Sequence, residues 1–236
     1  MAVITTYSWN FLNNIDLGTD IPDGGAEAIS LSGGSLAISS NHTGHTDGDV
    51  FNANGVGGDA WQVGTGTNAA LAQLSNGNIV VASQDANSIL YEIRTTGGSV
   101  VLASTDIGDT FSQNADVAAL AGGGFWVVAD DLFGGAGTDF DIEARRYDNT
   151  GALLGTVIVD SAVSQDQAPS IAALTGGNVV VAYTRTVGAD TEIRYAIYNS
   201  VGGIVLAPGI LDDFGAVNRE VSVCALANGG FAVAYA

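Results

Sequence analysis

Apolar and polar residues follow one another along this chain in short blocks, and the blocks repeat. The best-formed unit runs from Ala168 to Asp213. It opens with an apolar run that ends at Leu174, turns through Thr175-Gly176-Gly177, and continues in a valine-rich run from Asn178 to Tyr183. After a polar loop, Glu192 to Tyr198 alternates apolar and polar positions, and a turn leads into Ile204-Val205-Leu206. Runs this short, β-branched and bounded by Gly, Asn and Asp, predict strands, whereas a helix would space its apolar residues three and four apart. The anchor of the unit is a leucine, one further residue, then a pair rich in Gly and Asn. It recurs at Leu31, Leu74, Leu120, Leu174 and Leu226, with spacings of 43, 46, 54 and 52 residues. Repeats of that length with four short strands each are the signature of propeller blades.

The four runs of a unit differ in kind. The first ends at the anchor and is rich in small residues (Ala69, Ala70, Ala118, Ala119, Ala172, Ala173), which suits a strand lining a crowded central channel. The Gly/Asn pair supplies the positive φ that a tight hairpin needs. The second run, as in Ile79 to Ala82 or Phe125 to Ala129, lacks alternation and predicts a strand buried on both faces. The third, as in Ile142 to Tyr147, alternates and predicts a half-exposed strand. The last unit stops at Ala236 after two runs, and the start of the chain, Thr6 to Phe11 and Ile15 to Gly18, resembles a third and a fourth. The expectation is therefore an all-β, five-bladed β-propeller with four antiparallel strands per blade, closed by N-terminal outer strands pairing with C-terminal inner ones. Its blades fall at about 1–23 plus 219–236, 24–67, 68–114, 115–167 and 168–218, in one domain.

Composition narrows the class. The formal charge is −19, all six basic residues are Arg and Lys is absent, so nucleic acid and anionic membrane are excluded as partners. No apolar run is long enough to span a bilayer, and the N-terminus lacks the basic start and apolar core of a signal peptide. The one cysteine, Cys224, occupies a position of small apolar residues in other units and is expected to be buried.

The units Ala115–Asp160 and Ala168–Asp213 resemble the roughly fifty-residue repeats of large secreted bacterial proteins of the RTX, haemolysin-type calcium-binding group. The resemblance rests on Ala118-Ala119-Leu120, Gly122-Gly123, Tyr183, Tyr235 and the turn from Tyr147 through Asp148 to Gly151. It implies an extracellular bacterial setting, as a secreted protein or a domain of a larger one. It carries over no catalytic residue, and the glycine-rich nonapeptide that binds calcium in that group is absent here.

Candidate chemistry lies in the loops between second and third runs. Asp47 and Asp49, Asp139 and Asp141, and Asp190 and Glu192 each place two carboxylates two residues apart, an arrangement that can converge on calcium but equally makes a solvated turn. His42 and His45, beside Asp47, are candidates for a transition-metal site. No nucleophile elbow, phosphate loop or Cys–His pair occurs. Trp61, flanked by Asp59 and Gln62, and Trp9 are candidates for stacking on sugar rings, whereas Trp126 aligns with core positions. The leading expectation is a non-enzymatic binding module for glycans or another extracellular macromolecule. The alternatives are a calcium-stabilised structural domain and a polysaccharide hydrolase or lyase.

Overall fold

The structure is a computed structural model that describes residues 24–42, 45–52, 57–58, 61–63, 66–108, 111–132, 139–213 and 220–235. The described residues are all-β and form five antiparallel sheets, four of four strands and one of two. Sheet 1 holds β1 (Gly24–Ser30), β2 (Leu36–His42), β3 (His45–Phe51) and β4 (Trp61–Val63). Sheet 2 holds β5 (Thr67–Gln73), β6 (Ile79–Asp85), β7 (Ser88–Arg94) and β8 (Val100–Asp106). Sheet 3 holds β9 (Ser112–Ala119), β10 (Phe125–Leu132), β11 (Phe140–Tyr147) and β12 (Leu153–Asp160). Sheet 4 holds β13 (Asp166–Ala173), β14 (Val179–Val187), β15 (Asp190–Tyr198) and β16 (Ile204–Asp212). Sheet 5 holds β17 (Val221–Ala225) and β18 (Phe231–Tyr235). The N-terminal strands expected to complete it lie outside the described residues, as do Trp9 and Asp59.

Within every sheet the strands pair in chain order, as a meander of hairpins. Each anchor leucine closes its hairpin with its own amide and carbonyl; Leu120, for instance, bonds Gly124 and Gly123. The first strands of successive sheets pack together: β1 on β5, β5 on β9, β9 on β13 and β13 on β17. The core lies between sheets, in four clusters, each spanning one neighbouring pair. The second strands β6, β10 and β14 sit at their centres, with Val80, Trp126 and Val180 fully buried, as their unbroken apolar runs predict.

The third strands differ from the half-exposed expectation. Glu92, Arg94 and Glu143 are buried, because Glu92 pairs with Arg94 and Glu143 with Arg145 two residues on. Residues two apart on a strand share a face, so the charges satisfy each other there. Arg94 also donates to the carbonyl of Gln62 in the preceding sheet. Cys224 departs from expectation as well: it is exposed on β17, in the sheet with two described strands.

Adjacent sheets are also joined at their periphery. The Tyr183 hydroxyl on β14 donates to Asp160 at the end of β12, and Tyr235 on β18 donates to Asp212 at the end of β16. Arg185 bridges Asp160 and Asp166. Burial pushes the Asp160 carboxyl up, but Tyr183 and Arg185 outweigh it and leave the group below its ordinary range. The outermost strands β8, β12 and β16 expose Val100, Val101, Leu153, Leu154, Ile204 and Val205, and register shifts interrupt their pairing with β7, β11 and β15.

Tyr183→Phe removes a hydroxyl donor from a half-buried carboxylate. It is expected to lower unfolding free energy by about 1.5–3 kcal/mol in urea titration; a change within experimental error would mean that this bond does not join the sheets.

Candidate functional site

The first strands of all five sheets meet around a cavity of about 330 Å³. Among the residues facing it are Glu27, Asn68, Asn114, Asp116, Ala168 and Glu220. Two features of the repeat build this lining. Six residues before the anchor, Asn68, Asn114 and Ala168 have φ of 51°, 52° and 50°, and each lies in a register shift between first and second strands. Such bulges bend a strand and re-aim its side chains. Four residues before the anchor, the chain places Glu27, Ala70, Asp116, Ser170 and Ser222. The longer side chains reach the next sheet from there. Glu27 Oε2 accepts the Leu71 amide at 2.5 Å, and Asp116 Oδ2 accepts the Ile171 amide at 2.8 Å. Ser170 Oγ donates to Asp116 at 2.9 Å and accepts the Val223 amide at 3.1 Å.

The two carboxylates are not equivalent. Burial lifts Glu27 from its ordinary 4.5 to about 7, the nearby Asp116 charge adds to the rise, and the Leu71 amide opposes it. Burial lifts Asp116 as well, but three donors oppose that: the Ile171 amide, the Ser170 hydroxyl and its neighbour, the Val117 amide. Glu27 therefore titrates close to neutral pH, while the Asp116 carboxylate, also raised by burial, is held by three donors. A larger cavity of about 600 Å³ shares Asn114, Ala168 and Glu220 with the first, and extends over sheet 4. Gln165, Gln167, Thr184, Thr186 and Asp190 give it a polar wall. Neither cavity has a basic residue in its described lining.

Of the residues singled out from sequence, those whose side chains are described fall elsewhere, Asp190 excepted. Trp61 is 7 % exposed; its ring packs against Gly48 and Gly98 and lies 5.0 Å from the Arg94 guanidinium carbon. Gln62 sits next to it on β4, in register with Asp47. His45 Nε2 lies 3.5 Å from Asp47 Oδ1, and His42 pairs in register with His45, although its side chain is outside the description. Asp49 accepts the amides of Val50 and Gly58. Glu192 pairs with Arg194 at 3.6 Å. Asp141 is pushed up to about 6 by burial and by the charges of Asp139, Asp166, Asp160 and Asp131. Among the described residues no three His, Cys, Asp or Glu side chains are arranged to hold a metal ion. Glu27 and Asp116 were missed because each stands alone in an alanine-rich run. The signal was positional: polar residues four before the anchor, inside strands read as channel-lining.

No protein-family model matches the chain, and no curated protein matches it in sequence. Solved structures do resemble it. The α-L-arabinanase of Penicillium chrysogenum, solved with arabinobiose, superposes with a TM-score of 0.62 at 10% identity, covering 89% of this chain and 74% of that one. The α-L-arabinofuranosidase of Fusarium graminearum, solved with an iminosugar inhibitor, gives 0.60 at 12% identity, with coverage of 89% and 73%. An endo-1,4-β-xylanase from Bacteroides thetaiotaomicron gives 0.52 at 9% identity, with coverage of 87% and 81%. At these identities the likeness is one of fold. It corrects the leading expectation: the non-enzymatic binding module gives way, because the structures sharing this fold are named as glycan-cleaving enzymes.

Three carboxylates raised by burial set a pH dependence. Glu27 is raised to about 7, and Asp130 and Asp141 to about 6, burial being the largest cause for each. A group whose folded pKa is raised contributes stability that is full below its unfolded pKa and lost as pH rises through the folded one. The melting midpoint is thus expected to fall between pH 5 and pH 8. A midpoint that rises over that interval would contradict the burial assigned to these groups.

Proposed function

We propose that the five sheets are the blades of a β-propeller and that the protein is a glycoside hydrolase of neutral arabinan- or xylan-type polysaccharide, acting at the centre. One observation carries the reading: two carboxylates from different sheets, Glu27 and Asp116, face one cavity in unlike environments. Glycoside cleavage commonly uses such a pair, one protonated and one ionised. Glu27, holding its proton near neutral pH, gives it to the leaving glycosidic oxygen. Asp116, held by its three donors, supports the opposite side of the ring as base or nucleophile. The adjoining polar cavity receives the next sugar units, whose hydroxyls suit Gln165, Gln167, Thr184 and Thr186. The acidic charge of the chain and a described lining without basic residues favour a neutral glycan over an anionic one. The likeness of fold to an arabinanase, an arabinofuranosidase and a xylanase supports the substrate class. A secreted setting fits a polysaccharide substrate.

The test is release of reducing sugar from arabinan and from xylan. Glu27→Gln and Asp116→Asn are each expected to lower turnover by about 10²–10⁴-fold. Both amides keep an oxygen to accept the Leu71 or Ile171 amide, so the melting midpoint serves as the folding control. Activity of the unaltered protein should decline as pH rises through about 7, where Glu27 loses its proton. No release from either polymer, or full activity in both variants, would overturn the assignment.

A further inference from the structure

Sheet 3 breaks the repeat at one register. Six residues past the anchor leucine, the second strand places Ala37 opposite Val50, Val80 opposite Ile93 and Val180 opposite Ile197. The same register in sheet 3 holds Trp126 opposite Arg146. Three sheets form with an apolar pair at this place, so the fold itself does not call for an indole and a guanidinium. A local departure of this kind points to function.

Neither side chain uses all its donors. Trp126 is fully buried, and its Nε1 has no hydrogen-bond partner. The Arg146 Nε is also buried and without a partner, and its other nitrogens reach only the Ser200 and Leu154 carbonyls, each at 3.4 Å. Its guanidinium carbon lies 5.9 Å from the centroid of the Trp126 ring. Among the described arginines, Arg94, Arg145, Arg185 and Arg194 each pair with a carboxylate, whereas Arg146 does not. In a chain of net charge −19, the Arg146 guanidinium thus pairs with no carboxylate among the described residues.

The surroundings make room for it. A Cβ on Gly155 would come within 2.8 Å of Arg146 Nη2, and one on Gly202 within 3.2 Å of Nε. Trp126 and Arg146 line a cavity of about 280 Å³, together with the apolar side chains of Leu120, Leu154 and Val201. Gly123 and Gly177, from the hairpin turns after the anchors, also border it. Those turns lie at the opposite end of the strands from Asn114 and Ala168, so this cavity and the central one open on different faces.

We propose that the cavity is a second ligand site and that it takes a carboxylate on a compact body with an apolar face. A carboxylate is acceptor-only, matches the planar guanidinium, and has a second oxygen for an indole N–H. The apolar walls take the rest of the molecule. Two sources share this chemistry, a sugar acid and a short aliphatic acid. The inference does not rest on the hydrolase reading, because it uses no residue of the central cavity.

The test is calorimetric titration at constant ionic strength with sodium glucuronate, sodium butyrate, glucose and butyramide. It is paired with ¹H–¹⁵N spectra of the indole N–H groups. Saturable binding is expected for at least one carboxylate and for neither uncharged counterpart, and which carboxylate binds identifies the source. The Trp126 resonance, assigned as the one missing in Trp126→Phe, should move on binding. Arg146→Gln should weaken binding by at least about tenfold, and Arg146→Met, which keeps an apolar stem over the indole, should do the same. If Trp126→Phe fails to fold, the two Arg146 variants decide alone. No saturable binding by either carboxylate up to tens of millimolar, or unchanged binding in both Arg146 variants, would overturn the proposal.

Discussion

Five strands cannot share one centre unless the polar groups they bring there are satisfied across the gaps. At three of the five anchors the residue four before it meets that demand by accepting an amide of the next sheet. Glu27 does so for Leu71, Asp116 for Ile171 and Ser170 for Val223. Ala70 cannot, and there the Val117 amide is taken up by its neighbour Asp116 instead. The same constraint explains why the carboxylates sit where they do and why burial raises both of them. They are drawn out of water by the packing they secure. Structure and chemistry are therefore not separable at these positions, which is why the amide variants, rather than alanine, separate them.

Further out, the joints change character. Between first strands the contacts are small residues and single hydrogen bonds. Between second and third strands they are large apolar side chains, including the Tyr91, Phe125 and Tyr147 group, with ring centroids 4.6–5.9 Å apart. At the ends of the outer strands they are charged: Asp160 with Tyr183 and Arg185, Asp212 with Tyr235. The aromatic that closes the second run in sheets 4 and 5 is thus a joint between sheets. From sequence it was only a feature of the repeat.

The four-strand meander of sheets 1 to 4 and the buried second strands β6, β10 and β14 were legible because they follow from local pattern: unbroken apolar runs, alternation and Gly/Asn turns. The site was less so. Charged loops such as Asp139 and Asp141 draw attention in a sequence because their carboxylates are adjacent, whereas Glu27 and Asp116 are brought together only by the fold. Trp61, flanked by polar neighbours, reads as exposed. It is buried because Gly98 and Arg94 arrive from the following sheet, a contact that no window around Trp61 contains. The Glu-x-Arg pattern of the third strands was visible, but that it is an internal ion pair depends on the sheet that covers it. What stayed hidden was, in each case, a relation between units of the repeat.

The outer strands carry a further implication. Ile204, Val205 and Leu206, like Leu153 and Leu154, stand on strands with a free side, the composition that elsewhere recruits further chains into fibres. Here β16 carries Pro208, which has no amide hydrogen, and its pairing with β15 slips three times along its length. Such an edge offers no continuous row of donors and acceptors for another strand to read. An outermost strand this irregular is a poor template for self-association.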